Sequence, residues 1–226
     1  NLICGCIAIL LLSKDNYNAS VFFCLLAFLF DFADGFFARL LKTESAVGKQ
    51  LDSFSDLISS GLFPGMVMYK LLVKSGLTET LISPDLLNFS FYVSTLSLAG
   101  FIITVATAFR LSNFNLMETE HKYFIGLPAP ANCIMIIGLP FMFDFLGEKY
   151  LSYSLLFSIT LFSIYILNSR VKLISLKNTN ILIVFFLFCL IGGLVVLTNF
   201  AILTIIILIY ILVSLIYFQF RSWLSF

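Results

Sequence analysis

The chemistry in this chain concentrates in one stretch, DFADGFFARLLKTESAVGKQLDSFSD, which runs from Asp31 to Asp56. Asp31 and Asp34 are three residues apart and Asp52 and Asp56 four apart, so on helices each pair shares one face. Gly48, Asp52 and Asp56 continue as one stripe, and Gly35 and Ala38 extend the face of the first pair with almost no side chain. Such small residues permit close contact between helices, or close approach of a ligand to the backbone. Roughly ten residues would join the two helices, which makes them antiparallel neighbours and lets all four carboxylates converge at one end of a bundle. Four carboxylates in a low-dielectric site do not all stay ionised unless cations join them. Either some are protonated or divalent metal is bound, and oxygen-only donors favour Mg²⁺ or Mn²⁺ over Zn²⁺. Two such ions would neutralise the four charges and leave a site receptive to a pyrophosphate, toward which Arg39 adds a two-pronged donor. At a lipid–water boundary this set points to phosphoryl chemistry on a lipid substrate.

Two other readings compete. Interfacial aspartates cap helices or face water, a role that accounts for a pair more easily than for four with Gly and Arg interleaved. Aspartates inside a membrane also mark ion paths, so a proton- or cation-coupled transporter is the stronger rival. It calls for carboxylates near the bilayer midplane and broken helices in corresponding halves, and the sequence carries no repeat.

The elements that must position these residues are apolar. Of 226 residues 61% are hydrophobic and 11% charged, with a mean hydropathy of +1.08, 27 Phe, a single His and a net charge of +1. This excludes a disordered chain, a disulfide-stapled module and a basic nucleic-acid binder. The five cysteines, Cys4, Cys6, Cys24, Cys133 and Cys189, lack metal-type spacing and read as buried thiols. Apolar runs at 1–13, 19–41, 50–73, 89–113, 127–146, 149–167, 180–198 and 200–220 are each matched to a membrane-spanning helix of about 20 residues. The first is short and starts without Met, so the first helix is expected to be clipped. The expected fold is therefore all-α, a polytopic transmembrane bundle of about eight helices forming one domain over 1–226. With eight spans, one side receives Arg39, Lys42, Lys49, Arg110, Lys122, Arg170, Lys172, Lys177 and Arg221, and the other only Lys14, Lys70, Lys74 and Lys149. The positive-inside rule makes the richer side, which also holds the aspartates, cytoplasmic.

The pattern D-x2-D-G-x2-A-R-x8-G-x3-D-x3-D resembles the signature of the CDP-alcohol phosphatidyltransferases, and Asp31, Asp34, Gly35, Ala38, Arg39, Gly48, Asp52 and Asp56 match every specified position. Members are integral membrane enzymes that move a phosphatidyl group from a CDP-linked lipid to an alcohol and release CMP. The resemblance implies that Asp31, Asp34 and Asp52 hold a metal pair, Mn²⁺ or Mg²⁺, with Asp56 a further ligand and the general base. It places Gly35, Ala38 and Gly48 against the CDP-lipid, and Arg39 and Ser45 on its phosphates. Four more stretches resemble the bacterial branch that takes L-serine as acceptor: NLICGCIAI, LDSFSDLISSGLFPG, ATAFRLSNFN and FIGLPAPAN. They imply CDP-diacylglycerol and L-serine as substrates, a homodimer, and a bacterial cell membrane with the site facing the cytoplasm. Glycerol 3-phosphate and an inositol phosphate stay open as acceptors. Arg110 ends the fourth span on the aspartate side, where it could bind the serine carboxylate or a phosphate, or anchor at headgroups.

Overall fold

In a computed structural model, residues 1–43, 45–76, 96–116, 124–174 and 200–224 are described. Helix α1 (Leu2–Ser13) and helix α2 (Tyr17–Leu41) form an antiparallel hairpin. The Asn16 side chain caps α2 by accepting from the Ala19 N–H at 3.2 Å, and Lys42 ends it in a left-handed conformation, φ 53°. Ser45 then caps α3 (Ala46–Asp56), accepting from the Gly48 N–H at 3.0 Å. So short a connection makes α2 and α3 antiparallel neighbours.

Helix α3 does not end at Asp56. It continues through a π-helical turn, Leu57–Leu62, into α4 (Phe63–Lys74), giving one continuous 29-residue helix. The wider turn shifts the backbone hydrogen bonds and leaves carbonyls for partners on other elements. Ser59 O accepts from the thiols of Cys24 (3.8 Å) and Cys133 (3.5 Å), and Gly61 O from Thr104 Oγ1 at 3.1 Å. Helix α1 crosses this turn at Gly5, where a Cβ would stand 3.2 Å from Ile58 Cγ2, so only glycine lets the two backbones come this close.

A 3₁₀ turn (Leu96–Phe101) leads into α5 (Ile102–Leu116). After a two-residue strand β1 (Phe124–Ile125) come α6 (Ala129–Ile137), α7 (Leu139–Leu146), a short 3₁₀ turn, α8 (Tyr153–Asn168), strand β2 (Lys172–Leu173) and α9 (Ala201–Leu224). The core is built on α4 and α6, where Phe63, Met68, Leu72, Met135, Ile136 and Ile137 are buried. Between helices surrounded by lipid, dispersion and close fit supply this cohesion, since leaving lipid gives apolar groups little hydrophobic gain. Buried hydroxyls are satisfied locally, Thr107 on Ile103 O and Thr160 on Leu156 O, or across helices, Thr204 on Met135 O.

The structure shows a mostly helical membrane-type architecture, with five helices among the described residues long and apolar enough to cross a bilayer: Tyr17–Leu41, Ala46–Lys74, Leu96–Leu116, Ala129–Leu146 and Ala201–Gln219. Helices α1 and α8 are apolar but shorter. The span expected over 180–198 and the basic residues Lys122 and Lys177 lie outside the described residues. The span expected over 127–146 is found at Ala129–Leu146, interrupted at Gly138 because Pro140 in the first turn of α7 has no N–H for the preceding turn. The helical reading holds, with one small addition, the antiparallel pairing of β1 with β2, Phe124 opposite Leu173 and Ile125 opposite Lys172. One expectation needs correction. Cys6 is exposed, unlike Cys4, Cys24 and Cys133, and Cys189 lies outside the described residues.

Candidate active site

Helices α2 and α3 bring Asp31, Asp52 and Asp56 together. One carboxylate oxygen from each lies within 4.8 Å of the others. Asp31 and Asp56 are half-buried, whereas Asp52 is exposed. Helical spacing sets this arrangement, since Asp52 and Asp56 stack one turn apart on α3 and face Asp31 on the antiparallel α2. Asp34 is exposed one turn further along α2 and stands outside this trio. All the donors are hard oxygens, so the trio suits a hard divalent ion such as Mg²⁺ or Mn²⁺, and its like charges are relieved by such an ion or by protonation.

The site is recessed rather than terminal. Asp31 lies ten residues before the end of α2 and Asp56 ten residues after the start of α3. At 1.5 Å per residue that is about 15 Å along each helix from their connection. The intervening segments are largely open, and α3 contributes no buried residue.

The two glycines of the pattern border that open space. A Cβ on Gly35 would meet only the guanidinium of Arg39, 3.7 Å away, and one on Gly48 only Ser45 Oγ, 3.1 Å away. Among the described residues neither glycine is packed against another helix. Ala38 is half-buried on the same face of α2, and Arg39 is exposed with its guanidinium beside Gly35. The hydroxyl of Ser45 is engaged as the α3 cap.

Arg110 occupies a different setting. Its guanidinium donates to Leu167 O (2.5 Å), Ile125 O (3.2 Å) and Gly126 O (3.4 Å), tying the end of α5 to the entry of α6 and the end of α8. Gly126 has φ 70°, and a Cβ there would run into the backbone carbonyls of Leu167 and Ser169 and the Arg110 guanidinium. Asn168 adds a second tie, donating to Ala106 O at 3.2 Å.

Two asparagines outside the aspartate pattern join the site. Asn1 Nδ2 donates to Asp31 Oδ1 at 2.7 Å and to Asp56 Oδ1 at 3.3 Å. Asn115, near the end of α5, donates to Ser53 Oγ at 2.7 Å and so fixes α3 between its two aspartates.

Comparison with known proteins agrees with this geometry. A family model described as CDP-alcohol phosphatidyltransferase matches residues 1–167. The chain is 33% identical over 144 residues to the CDP-diacylglycerol–serine O-phosphatidyltransferase of Bacillus subtilis (strain 168), covering 64% of this chain and 72% of that protein. It is 34% identical over 142 residues to the Saccharomyces cerevisiae protein of the same name, covering 62% and 48%. It is 33% identical over 136 residues to an archaetidylserine synthase from Methanothermobacter thermautotrophicus, covering 58% and 50%. The matched segment thus spans about three quarters of the Bacillus relative and about half of the other two. With the pattern complete, the trio assembled and three quarters of its length matched, the chain belongs to the CDP-alcohol phosphatidyltransferase family.

Proposed function

We propose that the protein transfers the phosphatidyl group of CDP-diacylglycerol to L-serine, giving phosphatidylserine and CMP. The observation that carries this reading is the carboxylate trio from two helices, opening onto the unpacked glycines Gly35 and Gly48. The serine-transferase names of its relatives, at 33–34% identity, favour serine over glycerol 3-phosphate or an inositol phosphate.

In this reading Asp31, Asp34, Asp52 and Asp56 would hold two divalent ions, Mn²⁺ or Mg²⁺. When bound, the metal pair neutralises the pyrophosphate and stabilises the departing CMP. Gly35, Ala38 and Gly48 give the nucleotide a surface without protruding side chains, and Arg39 pairs with its phosphates. Asp56 accepts the proton of the serine hydroxyl as that oxygen bonds to the phosphorus bearing diacylglycerol. The bond from this phosphorus to the oxygen shared with the other phosphate breaks, and CMP leaves with the electron pair. Ser45 caps α3 and thereby fixes the position of Gly48. Arg110 shapes the entry to α6 and brings its positive charge to an acceptor carboxylate.

The protein acts in this proposal as one domain over 1–226 in a bacterial cell membrane, as a homodimer, with the α2–α3 connection and its basic residues on the cytoplasmic side. Chelation tests the metal-dependent reading. Removing divalent ions should stop serine-dependent CMP release, and Mn²⁺ or Mg²⁺ should restore it. Full activity after thorough chelation would contradict the proposed role of the trio.

A further inference from the structure

The least expected contact in the site comes from the beginning of α1. Asn1 stands 30 residues from Asp31 and 55 from Asp56, yet one amide nitrogen spans both carboxylates, at 2.7 and 3.3 Å. Its two N–H groups match two acceptors on two different helices. The opposite orientation of the amide would set Oδ1 against carboxylate oxygens with no proton between them. The amide pays for its orientation at its other end: Asn1 Oδ1 is buried and accepts no hydrogen bond among the described residues. A polar group held at the expense of its own second partner is held by the first one.

Asn1 is not used as an ordinary helix cap either. It precedes α1, but its side chain caps none of that helix's N–H groups. Its backbone carbonyl accepts from the Gly5 N–H at 3.0 Å, which anchors the residue to the helix whose Gly5 lies tight against the π turn following Asp56. The backbone is thus fixed by α1 and the side chain is left to the carboxylates.

We propose that Asn1 is a positioning residue of the carboxylate site, whose amide pairs Asp31 with Asp56 and holds both at the separation the divalent ions require. The inference rests on the metal-dependent reading above. It assigns to α1 a part in the chemistry that the aspartate pattern alone does not contain. Groups that orient metal ligands without touching the metal commonly change affinity by roughly 10- to 100-fold when removed.

The test is Mn²⁺ binding to the purified protein without substrates, followed by paramagnetic resonance of free Mn²⁺, for wild type, Asn1→Ala, Asn1→Asp and Cys4→Ala. Cys4 is buried on α1 away from the carboxylate hydrogen bonds, so its substitution reports loosened packing of that helix. The expected result is a Kd for Mn²⁺ raised about tenfold or more in Asn1→Ala but not in Asn1→Asp, which adds a hard oxygen donor and a negative charge beside the trio. Cys4→Ala should stay within threefold of wild type. A Kd in Asn1→Ala within threefold of wild type overturns the inference, as does an equal rise in Cys4→Ala. Absence of Mn²⁺ binding by the wild-type protein overturns instead the metal-dependent reading on which it rests. With saturating Mn²⁺, kcat should fall in Asn1→Ala while KM for CDP-diacylglycerol is unchanged, a split that mere loosening of α1 does not produce.

Discussion

Replacing Asp56 by Asn removes a proton acceptor and one negative charge while keeping the size of the side chain. The amide is the same size as the carboxylate, and its oxygen can still accept from Asn1 Nδ2, now 3.3 Å from Asp56 Oδ1. Its new N–H groups lie near Asp31 and Asp52, whose oxygens are within 4.8 Å and can accept them. The substitution also relieves one negative charge in a crowded trio, so the melting temperature should hold or rise. What is lost is the group that takes the serine proton, and general-base catalysis is worth about 10²- to 10⁴-fold. At 1.36 kcal/mol per factor of ten, the barrier rises by about 3–5 kcal/mol. Asp56 is also proposed as a metal ligand, so the assay is serine-dependent CMP release at saturating Mn²⁺, which offsets weakened metal binding. CDP-diacylglycerol affinity, measured separately, should stay within about threefold, because the glycine surface and Arg39 are untouched. A kcat within tenfold of wild type under these conditions would refute Asp56 as the base. An equal loss of lipid affinity and turnover would place it in substrate binding instead.

Three further outcomes are expected. Gly35→Leu should leave the melting temperature unchanged, because that position faces only the Arg39 guanidinium, yet raise KM for CDP-diacylglycerol at least about tenfold; an unchanged KM would remove Gly35 from the nucleotide surface. Gly126→Ala should destabilise the protein by about 2 kcal/mol or more in thermal unfolding, since alanine is disfavoured at φ 70° and its Cβ meets two carbonyls. Arg110→Lys separates anchoring from acceptor binding: one ammonium cannot serve Ile125, Gly126 and Leu167 carbonyls as the guanidinium does, so a lowered melting temperature is expected. A raised KM for serine without loss of stability would instead place Arg110 on the acceptor.

Asp31, Asp52 and Asp56 were legible because helical spacing, a short connection and small neighbours all constrain the same local geometry. Their recess was less legible, since it depends on how far α2 and α3 run beyond the bundle they pack against. The π turn at Leu57–Leu62 carries no residue signature. Its shifted hydrogen bonds are stabilised by Cys24, Cys133 and Thr104, all distant in sequence. The contacts of Asn1 and Arg110 could not be read from spacing, because their partners lie between 15 and 57 residues away in the chain. The break at Gly138 was within reach, because Gly-Leu-Pro inside an apolar run is a local stop and restart signal. The dyad of short strands was not, since two residues of extended chain leave no period to detect.

The central claim, transfer of phosphatidyl to serine at the carboxylate trio, is met most directly by one acceptor panel. Purified protein with CDP-diacylglycerol and Mn²⁺ is given L-serine, glycerol 3-phosphate, inositol or an inositol phosphate, with CMP and lipid product measured together. The account predicts CMP and phosphatidylserine in equal amounts with serine, and none with the others. Product with a different alcohol would contradict the acceptor assignment, and no CMP with any of them, alongside cation flux in vesicles, would return the aspartates to an ion path.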